Sequence, residues 1–185
     1  MYHYAGNNPV RFVDPDGRKD KVGPDLNFFP ECEGIHKWCQ KEVRSQDVFV
    51  VAAHGNTDYI YIFPNPVTKE DGTISRGKAQ EITADELAEI IKNSPEYKEG
   101  MTVILWACST GKKSDKSMKN FAQKLADSLG PGVKVKAPTE SIWFFSNKPR
   151  QINAEKEELY NNQIRKVPDE QKPGKLKTFE GESNI

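Results

Sequence analysis

The chain has 185 residues, and its 27 Lys plus Arg balance its 27 Asp plus Glu, for a formal net charge of zero. That length suits one domain plus tails, and the balanced charge argues against a nuclease built to offset phosphate repulsion. No apolar run approaches the ~18 residues that span a bilayer, and no charged-then-apolar start has the form of a signal peptide.

The first 30 residues are rich in Pro, Gly and Asp and read as extended chain rather than core, with 19–30 a linker. The pattern predicts a first helix over Cys32–Arg44. A strand follows over Val48–Ala53, ending at His54-Gly55-Asn56, then a second over Tyr59–Phe63 that Pro64-Asn65-Pro66 stops. Residues 64–81 are polar, and Asp71-Gly72 is a turn signal within a hairpin excursion or a loop.

Thr83 and Glu86 have capping-box spacing. Leu87, Ile90 and Ile91 continue the stripe of a helix ending near Asn93, before Pro95. Thr102–Ala107 is a further apolar strand. Ser117–Leu129 carries a helical stripe closed by Gly130. Val133–Pro138 alternates like a strand near a sheet edge, and Ser141–Phe145 is a last strand or an apolar lid. From Arg150 onward the chain is strongly charged. It reads as a helix through Leu159 and Ile164, followed by a disordered end. The expectation is one α/β domain over 31–149 around a mostly parallel sheet, with a charged tail over 150–185.

Three cysteines cannot all pair within one chain. Cys32 and Cys39 could form a disulfide. Cys32, His36 and Cys39 also fall at i, i+4 and i+7, on one face of the predicted helix. Three local ligands fall short of the four that structural zinc takes, so the plainer reading is half-buried thiols, and neither metal nor cofactor is expected.

Two strand ends carry the chemistry. Val48-Phe49-Val50-Val51-Ala52-Ala53 runs into His54-Gly55, and Thr102-Val103-Ile104-Leu105-Trp106-Ala107 runs into Cys108-Ser109-Thr110-Gly111. Both are suited to burial on two faces. A helix between them makes them parallel, and parallel strands deliver their C-terminal ends to one edge. There a base and a thiol nucleophile would stand side by side.

From about Asp47 to Phe145 this order resembles the caspase-like cysteine peptidases, in which one apolar strand ends in His-Gly and the next in a small residue and Cys. The resemblance implies a three-layer sandwich with Cys108 as nucleophile and His54 serving the leaving amine. It further implies the backbone N–H groups of Gly55 and Cys108 as the oxyanion hole. Asn56, Asp58, Ser109, Thr110, Lys112 and Trp143 are candidates for the pocket, although the first five also suit plain turns and Trp143 a core or surface position. No orienting acid stands out; neither Asp47 nor Asp58 has a compelling spacing.

A second resemblance lies in Tyr2-His3-Tyr4-Ala5-Gly6-Asn7-Asn8-Pro9 and Asp14-Pro15-Asp16-Gly17. This is similar to the end of the core of bacterial Rhs/YD-repeat proteins, whose shell precedes a variable cargo. It implies that residues 1–18 end such a core and that a toxin cargo begins near Lys19, delivered as a secreted effector into a target cell. It also implies a cognate immunity protein as partner. A protein substrate cut by a Cys–His dyad is the leading expectation. A deamidase using the same dyad and a non-catalytic binding module are the alternatives. Neither nucleic acid nor a membrane segment is expected.

Overall fold

The computed structural model describes residues 20–114 and 118–182. The Rhs-like motif of residues 1–18 lies outside them. The fold is α/β, with several sheets and few helices.

The main sheet has five strands in the order Leu176–Glu180, Lys134–Pro138, Thr102–Trp106, Val48–Ala52, Leu26–Asn27. The last four run parallel, and Leu176–Glu180 joins antiparallel. At its centre Thr102 pairs with Val48 and Trp106 with Ala52, without a register shift. Both central strands are buried on two faces, as their continuous apolar runs require.

One face, formed by Phe49, Val51, Val103, Leu105 and Val135, packs on the helices Ala84–Lys92 and Phe121–Leu129. The other, with Val50, Ala52 and Trp106, packs on Phe29, Cys39, Ile142 and Phe144. That second layer combines the short helix Gly34–Cys39 with a three-stranded antiparallel sheet led by Ser141–Trp143.

Local signals explain the helix ends. Thr83 Oγ1 accepts from the Glu86 N–H while Glu86 Oε2 accepts from the Thr83 N–H, the reciprocal capping box. Asn120 caps the next helix by accepting from the Gln123 N–H, so that helix begins at Phe121 rather than Ser117. The first helix is also shorter than expected. Cys32 precedes it, and Val43–Arg44 is instead a strand paired with Lys21–Val22.

A buried ion pair anchors the segment leading to the site. Arg44 lies 2.6 Å from Asp25 and donates to the Gly23 and Val48 carbonyls, while Asp25 Oδ2 accepts from the Val50 N–H. Both charges are thereby satisfied by fixed partners, as buried charges must be. The strand Leu26–Asn27 is held against Val48–Ala52, and the residues after it are aimed at the strand ends.

The C-terminal stretch overturns the expectation of helix and disorder. Gln151–Tyr160 and Gln163–Pro173 form an antiparallel hairpin whose turn residues, Asn161 and Asn162, have φ of 48° and 57°. Such values suit Asn and make a turn that follows the strand twist. Leu176–Glu180 then pairs with Lys134–Pro138 along its full length and inserts Phe179 into the core. The strand expected near an edge is therefore interior, and the charged tail is part of the domain.

Candidate functional site

His54 and Cys108 leave the sheet together. Since Trp106 pairs with Ala52, each stands two residues beyond that matched pair on adjacent parallel strands. Both face the second layer: Cys108 packs against the cluster of Phe29, Trp106 and Ile142, and Phe29 meets the His54 ring edge-on at 5.0 Å between centroids.

The imidazole is fixed on several sides. Its Nε2 lies 2.6 Å from Glu33 Oε2, and Phe63 meets the ring edge-on at 5.9 Å. Glu33 also pairs with Arg76 at 3.3 Å. A carboxylate only accepts hydrogen bonds, so Nε2 carries the hydrogen of neutral His54, and Nδ1 is left as the basic nitrogen. Glu33 is the carboxylate partner of His54, a contact not legible in the sequence. It sits 21 residues upstream at the start of a six-residue helix, and only the tertiary packing of the 27–33 segment brings it to the histidine.

Cys108 opens into a cleft of about 370 Å³ bordered by Gly55, Asn56, Ser109, Lys112, Glu140, Ser141 and Glu155. The next residue, Ser109, has φ of 57°, an unusual value for a residue with a side chain. Its N–H donates to the Glu140 carbonyl and its own carbonyl accepts from the Lys112 N–H, so the sharp turn after the thiol is held from both sides. Burial pushes the Cys108 thiol above its ordinary value. The negative charge of Glu155 adds to this, while hydrogen bonding from the Ile142 backbone and the Ser141 side chain opposes it.

The expected pocket residues divide. Gly55, Asn56, Ser109 and Lys112 border the Cys108 cleft, whereas Asp58, Thr110 and Trp143 do not. Thr110 is buried and donates to the Ala107 carbonyl at 2.9 Å, a turn contact. Asp58 accepts from Ser114 and Thr57. Trp143 Nε1 donates to the Asn153 carbonyl. Asn56 Oδ1 accepts from the N–H groups of Asp58 and Tyr59, which shapes the turn beside the cleft. Lys112 is paired with Glu140 at 3.1 Å. A Cβ on Gly55 would come within 3.2 Å of both Ala107 and Thr110, so this glycine permits the two strand ends to approach. Glu140, Ser141 and Glu155 were not anticipated; they come from segments far along the chain.

All three cysteines are free. Cys32 is exposed, and Cys39 is buried with its thiol pushed up to about 12, chiefly by desolvation. His36 is engaged with the Phe29 carbonyl and Gln40. Among the described residues no group of three or more His, Cys, Asp or Glu is arranged to hold a metal, and no helix is long and apolar enough to cross a membrane.

Residues 24–161, which contain both strand ends and Glu33, match the family described as Domain of unknown function (DUF8616). The chain belongs to that family. This DUF8616 domain is also similar to the uncharacterized protein YibJ of Escherichia coli (strain K12), at 37% identity over 105 residues. That stretch is 57% of the chain but only 36% of YibJ, so it spans little more than a third of that relative. No solved structure matches.

Proposed function

We propose that this domain is a Cys–His acyl-transfer enzyme of caspase-like arrangement whose reaction is hydrolysis of a peptide bond. The observation that carries this reading is the register of the two central strands, which sends His54 and Cys108 off the same sheet edge side by side. Glu33 adds the third member of a nucleophile, base and orienting acid set.

A raised thiol stays protonated near neutral pH and needs a base at the moment of attack. In the proposed cycle the Cys108 proton passes to Nδ1 of His54 as Sγ bonds to the substrate carbonyl carbon. Collapse of the tetrahedral intermediate breaks the carbon–nitrogen bond, and the imidazolium returns its proton to the leaving amine. Water then attacks the thioester and restores the thiol. The backbone N–H groups of Gly55 and Cys108, both at the cleft, are the candidate donors to the oxyanion.

The motif ending at Gly17 supports a setting for this chemistry: a toxin cargo behind an Rhs-type shell, delivered into a target cell and met there by an immunity protein. Glutamine deamidation by the same dyad is the second reading, because it needs the same attack and only a different leaving group, ammonia. The test is to express the wild type and Cys108→Ala in cells, mapping new protein N-termini and glutamine-to-glutamate conversions. Cys108-dependent new N-termini support peptidase action. Conversions alone support a deamidase, and neither in a folded protein leaves a binding module.

A further inference from the structure

A second and larger cavity, of about 700 Å³, is walled by residues that touch His54, although His54 itself lines neither this cavity nor the Cys108 cleft. Phe28, Phe29, Phe63, Pro66 and Ile74 give it apolar walls, and Glu31, Lys37 and Arg76 are its charged lining. Two of these residues, Phe29 and Phe63, are the rings that grip the His54 imidazole. Arg76 lies over the Phe63 ring at 5.5 Å and reaches Glu33, the partner of the same imidazole. The cavity wall and the support of the base are thus the same residues. The Cys108 cleft, bordered by Glu140, Glu155 and Lys112, has no aromatic wall.

A peptide bond cut by this dyad has two halves with different neighbours. The acyl half stays on Cys108. The amine half departs with a proton from His54 and must lie on the histidine side. The geometry points to the 700 Å³ cavity as the subsite for that amine half, selecting substrates with a large apolar or aromatic residue immediately after the scissile bond. This rests on the peptidase reading and names its substrate class. The chemistry of the walls supplies the preference: aromatic and proline surfaces gain by covering apolar area, which a small side chain cannot supply.

The test separates binding from chemistry by using folded Cys108→Ala protein with phenylalaninamide, which mimics an amine product bearing an aromatic side chain. Saturable NMR shifts at Phe63, Ile74 and Arg76 are expected, with alaninamide binding at least about tenfold more weakly. Ile74 is 59% exposed, so Ile74→Ser leaves the fold intact and should weaken phenylalaninamide by at least about fivefold. In wild-type digests the new N-termini should begin with large apolar residues. Absence of saturable binding, or binding indifferent to both the probe's side chain and Ile74→Ser, overturns the subsite. So do Cys108-dependent N-termini lacking large apolar residues, which leave the peptidase reading standing. Binding at the cavity without any Cys108-dependent N-termini removes the peptidase reading, and the amine-half assignment falls with it.

Discussion

Nε2 of His54 is held by Glu33 Oε2 at 2.6 Å, across 21 residues of sequence. Glu33 belongs to a segment anchored by the buried Asp25–Arg44 pair, so the orientation of the base depends on a salt bridge that touches no part of the cleft. Glu33→Ala should therefore lower Cys108-dependent activity by about tenfold or more while leaving the fold intact. The companion measurement is the ¹⁵N spectrum of His54, which should report the Nε2–H tautomer in the wild type. An Nδ1–H tautomer, or an unchanged rate in the variant, would remove Glu33 from the mechanism.

The thiols should differ in reactivity, in an order set by burial. The strand-end position and neighbouring imidazole of Cys108 suggest the fastest alkylation of the three. The structure instead exposes Cys32 and seats Cys108 against Ile142, beside Glu155. Cys32 should react first with iodoacetamide, Cys108 slowly at neutral pH, and Cys39 only on unfolding. Because the Cys108 thiol is raised, its rate should climb by about tenfold per pH unit through the alkaline range. Glu155→Gln removes a charge that disfavours the thiolate and should accelerate Cys108 several-fold. Time-resolved peptide mapping by mass spectrometry checks the order, and rapid Cys108 labelling at pH 7 would contradict it.

The parts of the site legible in the sequence are those fixed by local pattern. Buried strands announced themselves as apolar runs, and the helix between them made them parallel. The Thr83–Glu86 box and Gly130 marked helix ends within a residue or two. Glu33, Glu140 and Glu155 were not legible, because a carboxylate's partner far along the chain leaves no spacing to read. The hairpin from Gln151 to Pro173 was misread for a related reason. Its residues are mostly exposed, so no apolar alternation marks the strands, and Glu and Lys are good helix formers. Its one local clue is Asn161-Asn162, a pair that tolerates positive φ. Leu176 and Phe179 were the two apolar positions of the last strand, too few in a charged stretch to reveal it as core.

Cys39 gives a pH-dependent stability with a defined sign. Its thiol ionises near 9.0 when unfolded and is pushed up to about 12 in the fold. Below pH 9 both states hold the proton and its contribution is fully present. Between 9 and about 12 the unfolded state has lost a proton that the folded state retains, so stability falls as pH rises, by about 1.4 kcal/mol per unit. Denaturant unfolding of wild type and Cys39→Ala across this range should show a shallower alkaline decline in the variant. Parallel declines would mean that other groups carry the loss.

Gly55→Ala tests whether the two strand ends need their close approach. The added Cβ would meet Ala107 and Thr110 at 3.2 Å, and both are fully buried and cannot swing away. The expected cost is about 1–3 kcal/mol in denaturant unfolding, from overpacking rather than backbone strain. A neutral or stabilising effect would show that the strand ends can part without loss.

The C-terminal strand should prove essential to the domain although it follows a charged hairpin. Leu176–Glu180 pairs with five consecutive residues of Lys134–Pro138, and Phe179 is only 7% exposed within the main core. Beyond it, Gly181 donates to the Val133 carbonyl and accepts from the Gly132 N–H, and a Cβ there would lie 2.5 Å or less from two helix-end carbonyls. Phe179→Ala should cost about 3–5 kcal/mol through a cavity in the main core. Gly181→Ala should destabilise by forcing backbone apart, which no side-chain rotation relieves. Deleting residues 175–185 removes the ladder as well and leaves Lys134–Pro138 as an open edge, so aggregation at temperatures the wild type tolerates is expected. Calorimetry of the three variants checks this, and a truncated protein that melts with the wild type would return the tail to the status of a dispensable appendage.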